Sequence, residues 1–289
     1  MGLEKHGVKP NSKSLDDDFE ESGLSVFWGT AKKCTPRGRR IKELQDFLKK
    51  KNKDWITIER GYVKRQSDNE LQSKDTYYSV GFNGLNGHAN FKNKDMPSDR
   101  WEKLDTELQP WKSGGGNILF CGQVPWDAAC EVVPNYEEWL DRTMEKVKGL
   151  TDRKIIFRPH PYLITYNPIL SFTPVLDFED KNFWREHGIA IPAQADVIST
   201  DRRASLHEEM EDAWITVSLN SNSGVESIIN GIPTVACGEG SMAKEICTDL
   251  KNIESPHKPD RKQWAYNLAY SQWTTEEMKE GLTWEHLKN

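Results

Sequence analysis

The chain has 289 residues, enough for two modest domains that each bury a core. A net charge of −6 and a pI of about 5.7 exclude a polycation that coats nucleic acid with its whole surface. No apolar run approaches the roughly 20 residues needed to cross a bilayer, so no membrane insertion is expected.

Residues 1–22 are polar, carry Asp16–Asp18 and offer little to bury, which predicts a mobile arm. Residues 23–112 follow as an N-terminal α/β half. Leu24–Gly29 reads as a first strand, Arg39–Lys51 as a helix with Ile41, Leu44, Phe47 and Leu48 at helical spacing, and Trp55–Glu59 as a second strand. An ERGY turn, Glu59–Tyr62, comes next. Between Ala31 and Gln66 there are 13 Lys/Arg against 4 Asp/Glu, a basic district in an acidic protein. Such a district suits a polyanion, and it equally suits a solvated helix face. The Gly/Asn-rich Tyr77–Phe91 stretch predicts either short strands or a loop over a cleft.

Pro110–Gly116 (PWKSGGG) reads as the linker to a C-terminal half, 113–258. There Asn117–Cys121 and Lys154–Arg158 read as strands, and Tyr136–Lys148 as a helix capped by Asn135. Residues 168–199 look irregular, and Leu206–Ala213 a short helix. Residues 259–289 predict closing helices near Asp260–Gln272 and Thr275–Leu287, the second capped by Thr274. Five cysteines (34, 121, 130, 237, 247) form no CxxC pair and no Cys/His cluster, and Cys121 and Cys237 sit in apolar runs. The odd count, with no signal-peptide pattern, leads to the expectation of a cytoplasmic protein. Oligomeric state is not legible.

The most informative stretch is Trp214–Ala236, WITVSLNSNSGVESIINGIPTVA. An apolar β-branched run stops at Asn220-Ser221-Asn222-Ser223-Gly224, an amphipathic helix follows, and a second apolar run begins at Pro233. This βαβ pattern packs small hydrogen-bonding residues at a helix N-terminus, an arrangement suited to a phosphate or diphosphate. It lacks the glycine spacing of a Rossmann fingerprint and the lysine of a P-loop. A ligand-free Ser/Asn helix cap is the competing reading.

In open parallel sheets, ligands bind beyond the carboxyl ends of the strands, so the polar residues that follow predicted strands become the site candidates. They are Gly29-Thr30, Glu59-Arg60-Gly61, Gly122-Gln123 with Asp127, Arg158-Pro159-His160-Pro161, Asn220–Gly224 and Gly238–Ser241. Arg158 and His160 suit a phosphate or a base, and Gly29, Gln123, Asn220, Ser221, Asn222, Ser223 and Gly224 suit the rest of a nucleotide. Glu226 either accepts from ribose hydroxyls or is a helix-face acid. Glu59 is the first choice of general base, with His88 and Asp127 as alternatives. Arg37, Arg39, Arg40, Arg60, Lys64 and Arg65 form the basic side facing an acceptor. No His/Asp/Glu set has metal-ligand spacing, so neither a metal nor another cofactor is expected.

The ordered set ERGY, FCGQVPWD, IIFRPHP and SLNSNSGVESIINGIPTVA resembles the capsule-polysaccharide-type glycosyltransferases, a group that includes the capsule Kdo-transferases. The resemblance covers roughly residues 55–240. It implies a GT-B-like α/β fold of two facing Rossmann-type halves, the N-terminal one small or incomplete. It also implies a base at the acidic turn (Glu59, Arg60, Gly61), nucleotide binding at His160-Pro161 and phosphate binding at Ser221, Asn222, Ser223 and Gly224. The family often has Asp where this chain has Arg60, which leaves Glu59 as the base. The whole chain, with RKQWAYNLAYSQW and the closing TTEEMKEGLTWEHL, also resembles compact bacteriophage glycosyltransferases that decorate hydroxymethylated pyrimidines in DNA. The expected partners are therefore a nucleotide sugar and DNA, with a surface glycan as the alternative acceptor. A non-catalytic nucleotide-sugar sensor and a plain nucleic-acid-binding protein are the competing classes.

Overall fold

The computed structural model describes residues 2–9, 11–15, 23–29, 35–65, 75–165, 189–199 and 205–289. The expectations for Asp16–Asp18, Thr30, Lys32, Lys33 and most of 168–199 lie outside the described residues. The chain divides into two compact units, Met1–Thr106 with Asp260–Asn289, and Glu107–Pro259.

The first unit begins with β1 (Ser25–Trp28), α1 (Pro36–Lys50), β2 (Trp55–Arg60), β3 (Tyr77–Phe82) and the short α2 (Asp99–Lys103). Helix α1 starts three residues earlier than its apolar spacing predicts, because Thr35 Oγ1 accepts the Gly38 N–H at 3.0 Å and Pro36 fits the first helical position. Its inner face, Ile41, Leu44 and Leu48, packs on Phe27 and Trp55. Burial of each such side chain contributes about 1.5–3 kcal/mol. β1 and β2 are parallel, as βαβ topology requires, whereas β3 is antiparallel to β2 with Ile58 opposite Val80. The Tyr77–Phe91 stretch thus supplies a full strand, and Asn90 folds back to pair with Phe82.

The second unit contains β4 (Asn117–Cys121), α3 (Tyr136–Lys148), β5 (Lys154–Arg158), α4 (Pro161–Thr165), β6 (Val197–Ile198), α5 (Leu206–Met210), β7 (Ala213–Ser218), α6 (Ser223–Ile229) and β8 (Thr234–Ala236). Its five strands are all parallel, in the order β6-β5-β4-β7-β8. Ile118, Phe120, Ile155, Phe157, Ile215 and Val217 pack with Leu140, Met144 and Val147 of α3 on one side. Leu119, Cys121 and Ala213 pack with Met210 and Ile232 on the other. Both faces being covered explains the near-continuous apolar strands. The expected linker is part of this unit: Lys112 N–H reaches Gly231 O at 2.8 Å, and Pro110 O lies where a Cβ on Gly231 would be. Of its glycines, Gly115 serves close packing, a Cβ there lying 2.6 Å from the Ala213 backbone, whereas Gly114 stands clear of any neighbour.

The chain then returns to the first unit through α7 (Lys262–Ala269), β9 (Gln272–Thr274), α8 (Thr275–Glu280) and α9 (Leu282–Leu287). The expected all-helical tail contains a strand: β9 pairs antiparallel with β3 and completes the sheet β1-β2-β3-β9. The N-terminal half is small, as expected, and residues from the far end of the same chain complete it. Thr274 caps α8 in a full capping box with Glu277, and Gly281, at φ +87°, separates α8 from α9. The arm is not free over residues 2–9. Gly2 packs so tightly on Met278 O that a Cβ would lie 1.9 Å from it, and His6 Nε2 sits 3.3 Å from Gly281 O. Among the described residues no helix is long and apolar enough to cross a membrane.

A buried ion pair locks this returning segment. Arg100 donates to both Glu277 carboxylate oxygens, at 3.0 and 3.1 Å, and to the carbonyls of Ala269 and Gln272, while its guanidinium lies 3.7 Å from the Trp273 ring centre. Burial pushes the Glu277 carboxyl up, but the hydrogen bonds from Arg100, Lys103 and the Thr274 N–H outweigh it and bring it down to about 2. A lowered carboxyl stabilises the fold fully above its unfolded value of 4.5, and that contribution is lost as pH falls from there toward 2. Glu277→Gln is expected to cost about 3–5 kcal/mol in urea melts at neutral pH, because it strands the buried Arg100. The gap to wild type should narrow as the pH is lowered from 4.5 toward about 2. A gap that is independent of pH would contradict the ion-pair account.

Candidate functional site

The second unit's strand order places a topological division between β4 and β7, since the connections run β4→β5→β6 one way and β7→β8 the other. Such a division leaves a crevice at the carboxyl ends of the two strands. Gln123 and Asn220 meet there. Asn220 N–H donates to Gln123 Oε1 at 2.6 Å, Asn220 Nδ2 to Ala129 O at 2.9 Å, and Gln123 N–H to the Tyr136 hydroxyl at 2.7 Å. Gln123, expected among the donor-binding residues, bridges the two strand ends, its carbonyl oxygen committed to the backbone of the facing strand end. Asp127, the alternative base, caps the following 3-10 turn, its Oδ1 accepting the Ala129 N–H at 3.0 Å.

The Ser/Asn turn is built around hydroxyls. Ser221 Oγ accepts the Ser223 N–H at 3.2 Å, and Ser221 O accepts the Gly224 N–H at 3.2 Å, so two of the amides expected to await an anion are engaged by Ser221. Asn222 Nδ2 donates to Glu226 Oε1 at 2.9 Å, which places Glu226 half-buried along the helix rather than on open surface. Behind the turn, Thr216 Oγ1 lies 2.8 Å from Ser227 Oγ and 2.9 Å from Thr234 Oγ1, and this buried hydroxyl chain draws α6 onto β7 and β8. Gly224 permits the approach, since a Cβ there would sit 3.3 Å from Ala243 Cβ. Two oxygens at this strand end, Ser218 Oγ and Asn220 Oδ1, have no hydrogen-bond partner among the described residues, and Ser223 Oγ lies against the weakly hydrogen-bonding thiol of Cys121. Buried polar atoms are normally satisfied, so this strand end is the candidate polar site of the second unit.

At the end of β5, His160 leads into α4. Its Nδ1 accepts the Tyr162 N–H at 3.2 Å, which leaves the imidazole hydrogen on Nε2 as a donor. Arg158 is ion-paired with Glu209 of α5, whose other oxygen accepts from Ser199 Oγ beyond β6. Sequence reading missed Glu209, Ser199, Ser218 and Cys121. The thiol of Cys121, the last residue of β4, lies among Ser223, Arg158, Glu209 and Glu226, and burial pushes it up to about 11, so it is a neutral floor. The structure therefore brings together Gln123, Arg158, Asn220, Ser223 and Glu226, with His160 next to them in the chain. Among the described residues no three His, Cys, Asp or Glu side chains are grouped to hold a metal ion.

The other candidates belong to the first unit. Gly29 closes β1 with φ +88° and its N–H on Ile58 O at 2.8 Å, apart in the chain from the remaining donor candidates. Glu59, half-buried near the carboxyl end of β2, accepts the Arg60 N–H at 2.9 Å. His88 is exposed and follows β3, whose end pairs with the start of β2, so the chain reaches it from the opposite end of the strand from Glu59. Arg37 Nη2 donates to Trp28 O at 3.2 Å. Arg40 is spent on Leu15 O and Glu43, and Lys42 on Asp46, while Arg39, Arg60, Lys64 and Arg65 are exposed. The basic district is thus partly neutralised by its own acids.

No family model matches the sequence, and no curated protein matches it. Among solved structures the chain is similar to Thermosulfurimonas dismutans KpsC, a β-Kdo 2,4-transferase, with a TM-score of 0.52 and 10% identity over 91% of this chain and 86% of that one. The fold is GT-B-like. A β-Kdo 2,7-transferase KpsC of the same organism aligns with a TM-score of 0.44 and 13% identity over 92% of this chain and 85% of that one. The GT-B-like frame accounts for the parallel sheet with its polar crevice in the second unit.

The bridge at that crevice is testable. Gln123→Leu removes the acceptor of the buried Asn220 N–H and is expected to cost about 1–3 kcal/mol in chemical denaturation. Amide exchange at Asn220 should accelerate more than at Ile118 in the sheet centre. Unchanged exchange at Asn220 would show that the bond does not hold the two strand ends.

Proposed function

We propose that the protein is a glycosyltransferase that moves a sugar from a nucleotide-sugar donor to a hydroxyl of an anionic glycan. The observation that carries this reading is the pair of partnerless oxygens at Ser218 and Asn220, with the Ser223 hydroxyl, Arg158 and His160 beside them, at the divided carboxyl edge of a parallel sheet. A nucleoside diphosphate matches that donor set: hydroxyls and the His160 Nε2–H meet phosphate oxygens, and Asn220 Oδ1 accepts from a hydroxyl or amine. The KpsC structure, named as a Kdo transferase, supports a glycan acceptor over DNA.

In the proposed reaction Glu59 takes the proton of the acceptor hydroxyl, whose oxygen bonds to the anomeric carbon as the sugar–phosphate bond breaks. The nucleotide departs with the bonding electron pair. Arg158, His160 and the serine hydroxyls donate hydrogen bonds to its oxygens, and no step of this scheme is assigned to a metal ion. DNA is the second reading, favoured by the exposed Arg37, Arg39, Lys64 and Arg65.

A panel of nucleotide sugars should include at least one that raises the melting temperature, with the rise lost in His160→Ala. With that donor, transfer to acidic oligosaccharides is expected by mass spectrometry, unaffected by EDTA and reduced about 10²–10⁴-fold in Glu59→Gln. Transfer to 5-hydroxymethylpyrimidine DNA alone would exchange the first reading for the second. If no nucleotide sugar stabilises the protein, the glycosyltransferase reading fails.

A further inference from the structure

β1 leaves part of its sheet face uncovered, and the residues there are unusual for an unliganded surface. Ser25 and Phe27 are buried, whereas Val26 and Trp28 are 45% and 51% exposed. The register, Val26 beside Ile56 and Trp28 beside Ile58, places both on the face that carries Ile56, Ile58 and Arg60. Across β2, β3 and β9 that face is covered by Met278, Trp284 and Leu287. Over β1 it is open.

Trp28 is held, not loose. Its carbonyl accepts from Arg37, its ring lies 5.1 Å from the buried Tyr78 ring at 51°, and Gly29 turns the chain away directly after it. Arg60 stands two residues beyond Ile58 on the neighbouring strand, a diagonal position about 7–8 Å away on the same face. The positive charge nearby is short in extent, because Arg40 and Lys42 further along α1 are paired with Glu43 and Asp46.

We propose that Trp28 is an acceptor platform that stacks a sugar ring away from the reacting hydroxyl, because strand alternation puts Glu59 on the other face of β2, and that the ring's carboxylate or phosphate is met by Arg60 and Arg37. The inference rests on the glycosyltransferase reading and names the acceptor's chemistry within it. The polarised C–H bonds of a pyranose face suit the negative face of an indole, and a guanidinium fork suits a carboxylate or phosphate at the ring's edge. A single-stranded nucleic acid would be served by successive aromatic platforms along a basic track. Here the neighbour of Trp28 on the open face is the aliphatic Val26, and the basic row is interrupted.

Binding is read without donor, by saturation-transfer NMR and calorimetry on the full chain. The probes are a uronic-acid disaccharide, its neutral carboxyl-reduced counterpart and a short thymidylate strand. The acidic disaccharide is expected to bind best. Trp28→Ala should weaken it roughly fivefold to tenfold with little change in melting temperature, and Trp28→Phe should restore most of the loss. Arg60→Gln should remove the preference for the acid over the neutral sugar. Equal binding in wild type and Trp28→Ala would overturn the proposal, as would a thymidylate strand that outcompetes the disaccharide at Trp28. A dimer seen by light scattering and lost in Trp28→Ala would assign the face to a second copy instead. Failure here leaves donor-dependent stabilisation untouched, and failure of the donor panel leaves this sugar binding to stand or fall separately.

Discussion

The hydrogen bond from the Asn220 N–H to Gln123 Oε1 joins the two chain segments that leave the second sheet where its topology divides. Strands on either side of such a division send their backbones in opposite directions, so amides at the strand ends have no neighbouring ladder to pair with. Gln123 supplies the missing acceptor, and its own N–H is tied to Tyr136 at the start of α3. Asn220 in turn reaches Ala129, and its Oδ1 lies where a Cβ on Gly238 would be, 2.1 Å away, so the β8 exit must be glycine. Three contacts run through two amide side chains, and the Gln123 backbone N–H adds a fourth. The crevice stays open because polar side chains, rather than a continued strand, satisfy the backbone.

The first unit solves a different problem with similar means. Its βαβ start gives only one parallel pair, and β3 turns back antiparallel, too few strands for a sheet buried on both faces. The fourth strand arrives from residues 272–274, and Gln272 Oε1 accepts the N–H groups of both Tyr62 and Val63 at 2.7 and 3.0 Å. A Cβ on Gly61 would lie 2.8 Å from that same oxygen. The turn that follows Glu59 is therefore set by a residue 210 positions later in the chain. Arg100 and Glu277 hold the strand that carries Gln272, so the geometry of the acidic turn depends on the C-terminal lock.

This explains what could be read from the sequence and what could not. Strands Asn117–Cys121 and Lys154–Arg158, the Asn135 cap and the Thr274 cap were legible because periodicity and capping are local, decided within four residues. β9 was not: three residues, Gln-Trp-Thr, between two helical patterns carry no alternation long enough to distinguish a strand from a turn. The polar residues that follow the strands were legible from the strand-end rule, but what each of them bonds to was hidden. Whether Gln123 faces a ligand or a backbone amide depends on Asn220, 97 positions away, and whether Arg158 is exposed depends on Glu209, 51 positions away. The linker failed for a related reason. Glycine signals freedom in an isolated chain, but between packed backbones it permits close contact, as Gly115 does against Ala213.

On the proposed reading the two units handle negative charge in physically different ways. In the second, Arg158 is largely buried and already countered by Glu209, which removes the cost of an unpaired cation and fixes the guanidinium's orientation. Its attraction for a phosphate is short-ranged and geometric, little affected by salt. In the first, Arg37 and Arg60 stand in solvent at the edge of an exposed ring, where attraction is weak, screened and quickly reversed. On the proposed reading that division is chemically apt. A departing nucleotide phosphate must be met at one position as charge develops on it, whereas an acceptor only has to be gathered, aligned on Trp28 and released once extended. Exchanging the two arrangements would hold the product too firmly and leave the developing phosphate charge to mobile water.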